Sequence, residues 1–160
     1  MFKPDRQLDP RVITLWRVSR IIRLALFGVP FAAVIGVSVA WSVNALVGLI
    51  IGSALIAFNF VMVIIWPPLQ YRHFRYAVRE HDILVQAGVL FRRWCAIPHS
   101  RIQHVDTHQG PLERILGLTR LQVFTAAGVS ADGSIPGLAD SEAERLRDEL
   151  SQKGDDDDGV

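Results

Sequence analysis

Two apolar stretches dominate the pattern of this chain, Leu24 to Trp41 and Ala45 to Trp66, and only Ser42, Val43 and Asn44 separate them. Neither stretch contains a charged residue. About 20 apolar residues cross the roughly 30 Å of a bilayer's hydrocarbon, and each stretch is near that length. A backbone in lipid must satisfy its own hydrogen bonds, so both stretches are predicted to be helices. The gap between them leaves room only for a tight reversal. The pair is therefore an antiparallel hairpin, with both chain ends on one side of a membrane.

Small residues recur on one face of each span. Gly28, Ala32, Gly36 and Ala40 stand four apart in the first, and Gly48 and Gly52 form a GxxxG pair in the second. Small faces let helix backbones approach where lipid removes the hydrophobic drive to associate. Gly28, Gly36, Gly48 and Gly52 are the candidate packing residues, within the hairpin or between copies of the chain. Pro30 is expected to bend the first span slightly. Asn59 is the one strongly polar side chain deep in the second, able to bond across helices but no transport path by itself. Trp41 and Trp66 sit at span ends, where amphipathic rings prefer to lie. Pro67 and Pro68 are expected to stop the second helix.

Past Pro68 the period becomes two. Tyr71, His73, Arg75 and Ala77 alternate with Arg72, Phe74, Tyr76 and Val78, predicting a strand. Glu80, His81 and Asp82 read as a turn. Strands are predicted next over Ile83 to Ala87, with Gly88 as turn or bulge, over Leu90 to Ile97, ended by Pro98, and over Ile102 to Gln109. Proline first and glycine last bound a short helix, Leu112 to Leu116, between Pro111 and Gly117. Leu121, Val123 and Thr125 form a strand leading to a turn over Ala126 to Gly133, and Ile135 to Leu138 makes a short strand at best. Asp140 or Ser141 caps a last helix, Glu142 to Gln152, whose Ala143, Leu146 and Leu150 face inward to cover one end of the strands. The organisation expected is a basic lead-in at 1–20, the hairpin at 21–66, one mainly β (α+β) domain at 69–152 and an acidic tail at 153–160. Asp155 to Asp158 in that tail are expected to be disordered.

Charge adds an orientation. The net charge is only +1. Yet Lys3, Arg6, Arg11, Arg17, Arg20 and Arg23 precede the first span against Asp5 and Asp9, and Arg72, Arg75 and Arg79 follow the second. Positive residues collect on the cytoplasmic side of short membrane-flanking segments, which makes both termini cytoplasmic in a two-pass topology. The lead-in pattern Leu8, Val12, Leu15, Trp16, Ser19, Ile22 is roughly helical and reads either as an interfacial helix or as a plain basic flank. A secretory signal peptide fits poorly, because the first apolar run is too long and no small-residue cleavage site follows. The single cysteine, Cys95, makes no internal disulfide, in keeping with a reducing compartment.

Chemistry is sparse. Cys95, His99, His104 and His108 could suggest a metal, but His104 and His108 on one strand face stand about 13 Å apart at roughly 3.3 Å per residue, too far for one ion. Asp106 between two histidines is more simply a polar outer face, and Cys95 lies in an apolar strand without an activating base. No catalytic residue, metal or cofactor is therefore assigned. Nucleic acid is a poor partner, since the basic residues hug the membrane and the tail is acidic. The basic residues Arg72, Arg75, Arg92, Arg93 and Arg101 are the candidates for an anionic ligand or an acidic partner.

Three runs together carry a family pattern. They are Tyr71-Arg72-His73-Phe74-Arg75-Tyr76 with Asp82 to Leu90, then Ile97-Pro98-His99-Ser100-Arg101-Ile102-Gln103-His104-Val105, then Gln109-Gly110-Pro111-Leu112-Glu113-Arg114-Ile115-Leu116-Gly117-Leu118. This resembles the bacterial pleckstrin-homology-like (PH-like) domain of the membrane-flanked type, over about Tyr71 to Leu150. The resemblance implies a cytoplasmic β-sandwich or partly open barrel closed by a C-terminal helix, in a bacterial cytoplasmic membrane and without enzymatic activity. Eukaryotic relatives of the fold often bind phosphoinositides, but fold analogy alone does not transfer that activity. Ile102 and Val105 are then core, with Arg101 and Gln103 near a sheet edge. The resulting expectation is a membrane-anchored interaction module for protein partners or self-association, with an anionic lipid headgroup as the alternative ligand.

Overall fold

A computed structural model describes residues 4–125 and 133–157, with side chains as far as Lys153. The chain divides into two units, Trp16–Pro68 on one hand and Met1–Leu15 with Leu69–Val160 on the other.

Helix α1 (Arg11–Arg23) enters the first unit at Trp16 and passes through a π turn (Leu24–Gly28) into α2 (Val29–Ser42), and α3 (Ala45–His73) returns, leaving the unit after Pro68. Both helical runs are long and apolar enough to cross a bilayer, and this is a membrane protein with a two-helix hairpin. Pro30, at the start of α2, has no N–H, and its ring crowds the carbonyl four residues back. The wide turn before it takes up that conflict, with the Val29 N–H bonding to the Leu24 carbonyl. In the reversal, Asn44 Oδ1 accepts from the Leu46 N–H at 2.9 Å and so caps α3. Ser38, Ser42 and Ser53 each donate to a carbonyl one turn back, as a hydroxyl facing lipid must.

The helices touch through backbone at the small residues. A Cβ on Gly36 would lie 3.1 Å from the Gly48 carbonyl oxygen, and one on Gly52 would lie 3.6 Å from Gly36 Cα. At Gly48 a Cβ would run into the Gly36 carbonyl oxygen and stand 2.7 Å from Ala40 Cβ. Gly28 lies outside this contact, because a Cβ there meets only the Leu24 side chain of its own helix. Asn59 likewise turns to its own helix, Nδ2 donating to the Leu55 carbonyl at 2.9 Å.

The expectation that Pro67 and Pro68 end the second helix is corrected, since α3 runs through both to His73. Each proline removes a donor, but its fixed φ is helical. The turn beyond them is held by its own bonds, with the Phe74 N–H on the Gln70 carbonyl at 3.0 Å and the Tyr71 hydroxyl on the Leu8 carbonyl at 3.1 Å. Tyr71, Arg72 and His73 are therefore helical, and the first strand is shorter than the alternation suggests.

The second unit holds two antiparallel sheets. One contains β1 (Arg75–Val78), β2 (Asp82–Ala87) and β3 (Arg93–Pro98) in that order. The other contains β4 (Ile102–His108), β5 (Leu118–Thr125) and β6 (Gly133–Ala139). A short 3₁₀ turn (His99–Arg101) joins the sheets, α4 (Pro111–Leu116) links β4 to β5, and α5 (Asp140–Asp157) packs on β4 and β5. The core is built from Tyr76, Ile83 and Ile97 of one sheet, Leu118, Leu121, Val123, Ile135 and Leu138 of the other, and Ala143, Leu146 and Leu150 of α5. A bulge between Ile102 and His104 lets Ile102 and Val105, an odd number of residues apart, both face inward. The Tyr76 hydroxyl donates to Glu142 Oε1 at 2.9 Å, and burial together with that carboxylate pushes its phenol well above the usual tyrosine range. The turn expected over Ala126 to Gly133 lies outside the described residues up to position 132.

Two boundaries also move. Helix α5 continues five residues past Gln152 to Asp157, because its backbone bonding runs on through Lys153, whose ammonium pairs with Glu149 at 3.1 Å. Of the expected acidic tail, only positions 158–160 lie outside the described residues. The lead-in expected at 1–20 is divided, its first part belonging to the β domain. Leu8, Val12 and Leu15 are buried there, the Arg6 and Tyr76 backbones exchange two hydrogen bonds at 3.1 Å, and the Asp9 N–H donates to the Gly137 carbonyl at 3.1 Å. The Arg6–Tyr76 pair lies along β1, which pairs with β2 on its other side.

Candidate functional site

The register of the first sheet sorts the basic residues. Arg75 pairs with Gln86, which pairs with Trp94, and Ala87 pairs with Arg93. Directly paired residues share a face, and Tyr76, Val85 and Cys95 in the next row face the core, so Arg75, Gln86 and Trp94 face outward. Arg92 precedes Arg93 at the same end of the sheet, and Arg72, in the last turn of α3, stands three residues before β1 begins. Three of the candidates, Arg75, Arg92 and Arg93, thus belong to one end of one sheet, and Arg72 precedes that end in sequence. Arg101 does not, for it follows the far end of β3, roughly 17 Å along the strand from Arg93 at about 3.3 Å per residue. Arg79 is also at that far end, its guanidinium 3.7 Å from Asp82. With its amide oxygen turned toward Arg75, Gln7 accepts from both Nη atoms at 3.1 and 2.9 Å, so the N-terminal segment positions this arginine.

Between β2 and β3 the structure departs from the pattern. Leu90 was expected to begin a strand, but β3 starts at Arg93 and residues 88–92 form the hairpin loop. Gly88 has a φ of +110°, and a Cβ there would run into the Phe91 carbonyl oxygen, so only glycine makes this turn. The turn leaves Leu90 75 % and Phe91 89 % exposed, with Trp94 at 42 % beside them. Two large apolar side chains therefore stand on a tight turn flanked by Arg92 and Arg93. A run of apolar residues ending in two arginines and a tryptophan was the available signal, and the strand pattern concealed it. Beneath the loop, Arg93 lines a cleft of about 190 Å³ with Phe74, Val85, Ala87, Cys95 and Ser134.

The bacterial PH domain family matches residues 19–154. The chain belongs to that family. Among its relatives, the UPF0699 transmembrane protein YdbS of Bacillus subtilis (strain 168) is 34 % identical over 150 residues, 94 % of this chain and 92 % of YdbS. The UPF0699 transmembrane protein YdbT of the same organism is 24 % identical over 103 residues, 64 % of this chain but only 21 % of YdbT. No solved structure matches the chain.

In this bacterial PH domain the two sequence motifs serve the fold. The Gln109 amide donates to the Leu118 carbonyl and to Asp140 Oδ1, both at 3.1 Å, and the Thr119 hydroxyl donates to the same Asp140 oxygen at 2.7 Å. Glu113 is buried, taking the Gly110 N–H at 2.7 Å and an Arg120 Nη2 hydrogen at 2.9 Å. These bonds fix the β4–α4–β5 corner to the start of α5. His99, in the other motif, is buried with Nε2 on the Arg79 carbonyl at 2.9 Å. His104 stacks on Phe124 at 4.4 Å and lies 3.8 Å from Asp106. No group of three or more His, Cys, Asp or Glu side chains converges to hold a metal among the described residues.

Proposed function

We propose that this protein is a non-enzymatic, membrane-anchored interaction module whose hairpin holds the PH domain at the cytoplasmic face of a bacterial membrane for protein partners. The observation that carries this reading is the exposed Leu90–Phe91 pair on the Gly88 turn. An exposed apolar pair followed directly by two arginines matches the composition of protein docking centres, where aromatic residues and arginine predominate. Arg72, Arg75, Arg92 and Arg93 favour a partner with acidic residues around an apolar pocket. A second reading, an anionic headgroup as ligand, is favoured by Arg92 and Arg93 beside the same apolar pair, since such loops also suit a lipid interface.

A photo-crosslinking phenylalanine analogue at position 91 tests both in native membranes. A protein adduct that disappears in the Arg92→Gln, Arg93→Gln variant and weakens with added salt supports the partner reading. Adducts to phospholipid alone would establish the second reading, and no adduct of either kind would remove this loop as the docking site.

A further inference from the structure

The two spanning helices touch through backbone at Gly36, Gly48 and Gly52, whereas a Cβ on Gly28, nearer the end away from their connecting turn, would meet no atom of the second helix. There they enclose a cleft of about 310 Å³, lined by Arg20, Arg23, Leu24, Phe27 and Gly28 of the first helix and by Asn59, Met62 and Val63 of the second. The π turn Leu24–Gly28 forms one wall, and π turns recur at functional sites. The Arg20 guanidinium carbon lies 5.7 Å from the Trp66 ring centroid, and Arg23 Nε donates to the Ser19 carbonyl at 3.2 Å, so both side chains are held beside the cleft.

Their charge has no counter-charge within the unit. The sequence contains no aspartate or glutamate from Pro10 to Arg79, and hence none in the whole spanning unit. Two guanidinium groups at the edge of hydrocarbon, without a carboxylate, call for an anion from outside the unit. Below them the walls are apolar apart from the Asn59 amide. Charge at the mouth, one polar group within and an apolar floor are together complementary to an amphiphile with a phosphate head. The volume, at the lower end of the roughly 300–1,000 Å³ usual for small-molecule sites, suits a headgroup with the start of an acyl chain.

We propose that this cleft binds an anionic phospholipid, with Arg20 and Arg23 on its phosphate and Phe27, Met62 and Val63 against its first acyl carbons. The site lies wholly in the spanning unit and is independent of the loop reading. Native mass spectrometry of the full chain released from nanodiscs of mixed phosphatidylglycerol and phosphatidylcholine measures it. The wild type is expected to retain phosphatidylglycerol preferentially, with inorganic phosphate unable to displace it. Arg20→Gln with Arg23→Gln is expected to lower the retention about thirtyfold, equivalent to about 1 kcal/mol per arginine near an anionic surface. Gly28→Leu, which fills the cleft and keeps both arginines, is expected to lower it as well. Arg92→Gln with Arg93→Gln is expected to leave it unchanged, which separates this site from the domain loop. Undiminished phosphatidylglycerol in both cleft variants, equal retention of the neutral lipid, or displacement by phosphate would overturn the proposal.

Discussion

Val12 is fully buried and lies against Gly137, whose φ is +66°. A Cβ at 137 would run into Val12 Cγ2 and stand 2.7 Å from its Cβ. Gly137→Ala is therefore expected to destabilise the domain by about 2–5 kcal/mol, combining a left-handed non-glycine residue with an overpacked contact. Thermal unfolding of the full chain checks this, and Val12→Ala in the same molecule is expected to recover part of the loss by removing the Cγ2 contact, while the Cβ that alanine keeps, 2.7 Å away, holds back the rest. An alanine at 137 that leaves the unfolding temperature unchanged would mean the N-terminal segment does not pack on β6. The spacing of Leu8, Val12 and Leu15 was visible in the sequence. What covers that stripe was not, because a periodic apolar face fits a lipid interface and a protein core equally well.

Among the elements, the hairpin was legible because a long uncharged run has few other uses, and α5 because Ala143, Leu146 and Leu150 repeat at helical spacing. Elements whose local signals conflict were misread. Tyr71 to His73 alternate like a strand yet complete a helix that two prolines were expected to stop, and Leu90 reads as strand but follows a turn that only Gly88 permits. Strand β6 tolerates Pro136 as an edge strand pairing with β5 alone among the described strands, and at Gly133–Ala139 it is longer than the Ile135 to Leu138 expected. The helix contact makes a sharper distinction than spacing could. Gly48→Ala is expected to cost about 1–3 kcal/mol, because the obstacle is backbone, whereas Gly52→Ala, whose Cβ would sit 3.5 Å from the Ala32 carbonyl oxygen, is expected to change stability by less than about 0.5 kcal/mol. Unfolding in detergent micelles distinguishes the two, and equal effects would contradict the close approach at Gly48.

At the scale of the whole molecule, the candidate site was half legible. The sequence marked Arg72, Arg75, Arg92, Arg93 and Arg101 as one set, but strand register places Arg101 at the opposite end from Arg75, Arg92 and Arg93. Register between distant segments is set by tertiary pairing and leaves little trace in local pattern. The hairpin crosses a membrane twice, and the orientation we propose leaves the PH domain on the cytoplasmic side. Single cysteines placed at Asn44 and at Leu90, each in a Cys95→Ser background, test it in intact cells with a membrane-impermeant thiol reagent. Labelling is expected at position 44 without disruption of the cells and at position 90 only after disruption. Labelling of position 90 in intact cells, with position 44 protected, would contradict it.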